Sequence, residues 1–238
     1  YAPDGTALSV EYYVDGDRSG WQHYYDASGI LVYTELIENG ALVERTSHDE
    51  KGVKYEHIRV PTGAFVLETH YPNGKVSLRA ELMNGRFHGK VTWYYPNGST
   101  EVSSTFLDDE RHGLWTSYHP NGKKRTELNY RMGTIHGSSQ EWYPSGARKS
   151  EFIYRNGSIE GTSTELHENG RPSFVRDYSN GVLHGRHISH DVGGTPQMVR
   201  FYHKGTLIGH ASVNADGSFT DTIAADPGVA VLRSTFPS

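Results

Sequence analysis

Runs of β-branched and aromatic residues alternate along this chain with short turn-forming segments, and the alternation has a period. Val91-Thr92-Trp93-Tyr94-Tyr95 is one such run, β-prone at every position. Pro96-Asn97-Gly98 then turns the chain: Pro presets φ, Asn tolerates the next position and Gly takes the left-handed one. This predicts a type I turn with a glycine bulge closing a short hairpin. Ser99 to Phe106 is the returning strand, and a second, looser turn is expected from Leu107 to Gly113. The turn glycines Gly74, Gly98, Gly122, Gly146 and Gly170 stand 24 residues apart, and the series extends to Gly194 and Gly217 and back through Gly52, Gly29 and Gly5. A fixed period in this range marks a repeat architecture.

Alignment on the turn glycine brings out columns. Four residues before it stand Tyr25, His48, His70, Tyr94, Tyr118, Trp142, Leu166 and His190. Eight residues after it stand Ile37, Val60, Leu82, Phe106, Tyr130, Tyr154, Tyr178 and Tyr202. The second turn carries a glycine in nearly every repeat, with Asp109 as the exception, and Asp tolerates positive φ. A further glycine closes that turn at Gly20, Gly89, Gly113, Gly137, Gly161, Gly185 and Gly209, whereas Glu44 and Leu67 stand in its place in the early repeats.

Two strands and two turns per repeat predict an all-β protein: a single-layer antiparallel meander of tandem β-hairpins of about 24 residues, elongated and without helices. Each column ring is expected to lie against its equivalent in the next repeat. Residues 1–63 are divergent repeats, 64–210 the regular body, and 211–238 a final hairpin and C-terminal cap, all in one continuous unit. Terminal repeats must shield an open sheet edge, which is the role expected of the Ile223 to Leu232 stretch.

Composition agrees with a thin, ring-covered sheet: 35% hydrophobic, yet 16 Tyr and 4 Trp. The net charge of −5 with both signs interspersed argues against a nucleic-acid binder. Cysteine is absent, so disulfides, thiolate nucleophiles and Cys-ligated zinc are excluded. No apolar run approaches the length of a spanning helix. The compartment stays open on these grounds.

The unit Tyr-Pro-Asn-Gly-Lys, followed by Asn-Gly-x-x-His-Gly and Trp-Tyr, resembles the MORN-repeat variant. It is clear in His70-Tyr71-Pro72-Asn73-Gly74-Lys75, Asn84-Gly85-Arg86-Phe87-His88-Gly89 and Trp93-Tyr94-Tyr95. The resemblance covers 64–210 clearly and 1–63 more weakly. It implies a β-hairpin array, scaffolding contacts with proteins or lipid, and, for bacterial members, an antitoxin or immunity role.

Candidate chemistry is sparse. The His88, His112, His136 and His184 column sits beside glycine, but successive members are two strands, about 9.6 Å, apart, too far to share one zinc ion. An imidazole that satisfies turn backbone is the expectation, with no metal and no cofactor. Neither a Gly-x-Ser-x-Gly elbow, a His-Glu-x-x-His zinc motif nor a phosphate loop is present. Glu127 and Glu151 recur one repeat apart, outside the separation of a glycosidase pair, and no pocket is implied. A non-enzymatic binding surface follows, with Tyr94, Tyr118, Trp142, Trp93 and Trp115 as candidate anchors and Arg86 and Arg111 as orienting charges. The expected partner is a protein, a toxin or effector on the resemblance. A cell-envelope scaffold or glycan-binding ribbon is the alternative, since ring surfaces also hold sugars.

Overall fold

The computed structural model describes residues 8–214, 218–220 and 222–224. Gly5, the turn at Gly217 and most of the expected C-terminal cap lie outside the described residues. The chain divides into two compact units, Tyr1–Gly113 and Leu114–Ser238. Every described element is a strand or turn, so the expected all-β hairpin class is borne out.

The first unit holds β1 (Ser9–Val10), β2 (Tyr13–Val14), β3 (Asp17–Arg18), β4 (Gly20–Tyr25), β5 (Leu31–Glu38), β6 (Ala41–His48), β7 (Lys54–Arg59), β8 (Ala64–His70), β9 (Val76–Met83), β10 (Arg86–Tyr94) and β11 (Thr100–Leu107). β12 (Glu110–Tyr118) carries the boundary. The second unit holds β13 (Lys124–Arg131), β14 (Thr134–Ile135), β15 (Gly137–Trp142), β16 (Arg148–Arg155), β17 (Ser158–Ile159), β18 (Gly161–Leu166), β19 (Pro172–Ser179), β20 (Val182–His190), β21 (Pro196–His203), β22 (Thr206–Ser212) and β23 (Ile223–Ala224). Its strands pair as an antiparallel meander from β13 to β23, with β14 and β17 as short flaps on β13 and β16.

The first turn of each repeat has the expected construction. Gly98 N–H donates to Tyr95 C=O (2.7 Å), Gly98 is left-handed at φ +88°, and the ladder shifts by one residue between Trp93 and Tyr94. The second turn differs from expectation: it is tight. Asn84 and Gly85 are both left-handed (φ +51° and +74°), as are Asn156 and Gly157, so these are two-residue hairpin turns of the I′ kind. Asp109 takes the glycine's place at φ +67°.

The two outer columns of the alignment are one structural pair. Gly89 stands directly across from Phe106, Gly137 from Tyr154, Gly161 from Tyr178 and Gly185 from Tyr202. The left-handed glycine contributes no side chain, and the ring across from it supplies the missing cover. The expected ring-on-ring stacking between repeats is therefore corrected. Tyr154, Tyr178 and Tyr202 make no ring contact with one another. Equivalents lie about 9.6 Å apart, beyond the roughly 7 Å limit of ring pairing.

In the first unit the meander breaks once. β7 ends the sheet β1-β4-β5-β6-β7, and β8 begins a second sheet with β9, β10 and β11. Pro61 has no N–H to extend the ladder, and Leu67 replaces the closing glycine. The two sheets then share a core of Ile37 and Leu42 with Leu67, Leu78, Ala80, Leu82, Val91 and Phe106. Leu42 N–H donates to Gly85 C=O (2.9 Å), fixing one hairpin end on another. A Cβ at Gly85 would lie 2.4 Å from Leu42 O, so only glycine permits this approach. Two-sheet burial here is an addition to the single-layer expectation.

Candidate binding surfaces

The most conspicuous motif residues are used by the fold. Asn73 Oδ1 accepts from Lys75 N–H (3.0 Å), closing its own turn, while Nδ2 donates to Pro96 C=O (3.1 Å) in the next repeat. Tyr71 donates its hydroxyl proton to Tyr94 C=O (2.6 Å), and Lys75 Nζ donates to Asn97 C=O (2.7 Å). The pattern returns in the second unit. Asn121 Nδ2 reaches Pro144 C=O (2.8 Å), Lys123 Nζ reaches Ser145 C=O, and His119 Nε2 meets Trp142 C=O (2.9 Å). Two repeats on, Asn169 and Arg171 bind Val192 and Gly193 carbonyls at 2.7 Å each. Tyr-Pro-Asn-Gly-Lys is thus a staple between successive turns, each polar atom satisfying backbone its own strand cannot reach.

The first unit contains a cleft between its two larger sheets, about 400 Å³ in volume. Sequence reasoning implied no pocket, and this corrects it. Tyr24 and Tyr33 face each other across β4 and β5 and stack at 4.3 Å. Arg45 lies over the Tyr33 ring at 3.8 Å and pairs with Glu35 at 2.6 Å, both side chains 14% exposed. Trp93, Phe87, Tyr55, Tyr71 and Asp109 complete the wall. Burial, then the Glu35 charge, pushes the Tyr24 phenol up to about 12, so it stays a neutral hydrogen-bonding group. Burial also raises Asp109, against the pull of its bond from Phe87 N–H and of Arg86. Charged lining groups balance: Arg18 and Arg45 against Glu35 and Asp109. The signal was present in the alignment. Arg45 occupies the column that holds Leu67 and Val91 in the next two repeats, and an arginine in place of those core residues marks an altered site.

In the second unit that same face changes character. The positions of Leu67 and Val91 become Ser139 and Ser163, both buried, and Leu78 becomes Ser150. By register Tyr154 lies on the face of Ser139 and Ser150, and Tyr178 on that of Ser163, both half-buried.

The sequence candidates are scattered among these settings. Trp93 packs edge-on to Phe87 (6.4 Å) and Phe106 (6.1 Å), committed to the core. Arg86 ties two turns together through Asn39 C=O (3.0 Å) and Asp109 (3.6 Å). Exposed Arg111 sits 5.8 Å from the Phe106 ring. Tyr94 is half-buried at the end of β10, its carbonyl engaged by Tyr71. Trp115 and Tyr118 are half-buried on β12. Trp142 lines a shallow hollow of about 210 Å³ with His119, Arg125 and Lys149, and Lys124 Nζ lies 5.5 Å from its ring.

Of the histidine column, His184 Nδ1 accepts from Lys204 N–H (3.4 Å), the kind of backbone contact expected, whereas His88 pairs with the Asp108 carboxylate (3.1 Å). Glu127 and Glu151 are separated by Gln140 on the intervening strand and pair with Lys124 and Arg148. Among the described residues no group of three His, Asp or Glu is placed to hold a metal ion.

The model of the MORN repeat variant family matches residues 87–108 and 111–132, two adjacent repeats. No curated protein matches the chain significantly. The family match points to a repeat-based binding module, of a kind that is in general non-catalytic.

Proposed function

We propose that this array of MORN-variant hairpins is a non-catalytic module that binds a protein partner, its rings making the contact. The observation that carries this reading is the second unit's altered face. Leu67, Val91 and Leu78 of the first unit's core give way to Ser139, Ser163 and Ser150, with half-buried tyrosines on the same face. Tyrosine offers large, rigid contact area together with a hydrogen-bonding tip, the composition of interface hot spots. Trp142, Tyr118 and Trp115 add rings within the second unit, while the first unit carries Tyr94 and the orienting charge of Arg111. An immunity-type role, in which the array occludes a toxin or effector, is the specific form of this reading.

A glycan-binding role is the second reading, favoured by the first unit's cleft. Its stacked tyrosines and charge-balanced lining suit a neutral, hydroxyl-rich ligand. Affinity measurement separates the two. Replacing Tyr94 and Tyr118 together by Ala should weaken a protein partner by more than about 2 kcal/mol. Unchanged affinity in the folded double variant removes those rings from the contact. Retention of the chain on insoluble polysaccharide, abolished by Tyr33→Ala, would transfer the function to the cleft.

A further inference from the structure

One face of the second unit carries a row of cationic and imidazole side chains unmatched elsewhere among the described residues. Arg176 on β19 stands directly across from His187 on β20, His187 from Arg200 on β21, and Arg200 from His210 on β22. Cross-strand partners project from the same face, so the four side chains form one line with steps of about 4.8 Å. Phe174 and Tyr202 wall the line, their rings 5.6 and 6.0 Å from the His187 ring.

Among the described residues, acidic compensation covers one end only. Glu165 pairs with Arg176, whose guanidinium also lies 4.4 Å over Phe174. Arg176 Nε donates to His187 Nε2 (3.2 Å), which places the neutral ring's proton on Nδ1, and that buried atom has no hydrogen-bond partner. Neither Arg200 nor His210 has a side-chain hydrogen bond or ion pair among the described residues. Asp177, the other nearby carboxylate, belongs to the opposite face, where it holds Arg186. A half-buried arginine with no counter-ion among the described residues is an arrangement that an anion from outside completes.

We infer that this row is the docking strip for an acidic segment of the protein partner, one that presents carboxylates at the pitch of the strands. This deepens the binding-module reading and rests on it. Carboxylates on successive turns of a helix lie about 5–6 Å apart, close to the strip's step. Alternate residues of an extended chain are about 6.8 Å apart and fall out of register. The strip therefore fits an acidic helix laid across the strands.

The test uses the full chain and a synthetic Ala-based helical peptide bearing Glu at every fourth position, titrated by calorimetry at low salt. Binding is expected, weakened at least about threefold by Arg200→Ala and about tenfold by Arg200→Glu. Arg148→Ala, whose charge serves Glu151 elsewhere, should leave it unchanged. Equal binding by Arg200→Glu, or an equal loss in Arg148→Ala, overturns the strip. So does equal binding of a matched Lys peptide. Native partner capture keeps the two readings distinguishable. A partner held equally by wild type and Arg200→Glu sinks the strip alone. Capture of no protein at all sinks the binding-module reading, while the peptide titration still judges the strip.

Discussion

The staples between turns can be strengthened where the sequence omits them. In the repeat Tyr143-Pro144-Ser145-Gly146-Ala147, serine and alanine replace the Asn and Lys of the motif. Only Tyr143 reaches the next repeat, through Leu166 C=O (2.8 Å), and Ser145 closes its own turn weakly, at 3.4 Å from Ala147 N–H. Its neighbours make both missing contacts: Asn121 and Lys123 to Pro144 and Ser145, Asn169 and Arg171 to Val192 and Gly193. Ser145→Asn with Ala147→Lys restores a donor to Glu168 C=O, a donor to Asn169 C=O and a full-strength turn closure. Each exposed hydrogen bond contributes about 0.5–1.5 kcal/mol net, and ordering the lysine offsets part of that. The pair should stabilise the second unit by about 1–2 kcal/mol, roughly 4–8 °C in its melting temperature. Urea and thermal unfolding followed by near-ultraviolet circular dichroism read the change. No gain in the double variant, together with no loss in Asn121→Ser, would refute the staple as a source of stability.

Three further outcomes follow. Gly85→Ala and Gly63→Ala both strain a left-handed backbone by about 1 kcal/mol, but only the first drives a Cβ into Leu42 O, so it should cost at least about 3 kcal/mol in urea unfolding while Gly63→Ala, with open space around it, stays near 1. Glu35→Ala should cost about 3 kcal/mol by stranding Arg45 between the sheets, and Glu35→Leu with Arg45→Met should recover most of it; a double variant as unstable as the single would contradict this. Burial, reinforced by Arg176 on β19 and Arg200 on β21, lowers the His187 pKa. Its unfolded form thus takes up a proton first. Stability present above about pH 6.5 should fall as pH drops through that value towards the lower folded-state pKa, and His187→Gln, followed by melting temperature against pH, should lack this component.

The period, the hairpins and the first-turn chemistry were legible because they rest on local rules: Pro fixing φ, Gly accepting the left-handed region. The Asn84-Gly85 and Asn156-Gly157 pairs carry the tight-turn signal too, but in the repeat from Val91 to Gly113 Asp108-Asp109 stands in their place and hides it. Pairing of Gly137 with Tyr154 could not be seen in columns, since it depends on cross-strand register set by a bulge. The fold of one sheet onto another at Pro61 depends on long-range burial of Ile37 and Leu42 against Leu67 and Leu78. No local pattern reports that. The cleft is hidden for the same reason, and Arg45 at the position of the core residues Leu67 and Val91 is the trace it leaves. Arg86 and Trp93 illustrate the converse. Residue type suggested recognition, and position committed both to holding the first unit together.

The most direct measurement is native mass spectrometry of the chain co-purified from its natural source at near-physiological salt. The account predicts a species heavier than the chain alone by the mass of one further protein in fixed ratio. Recovery of the chain alone, or with polysaccharide and no protein, would contradict it.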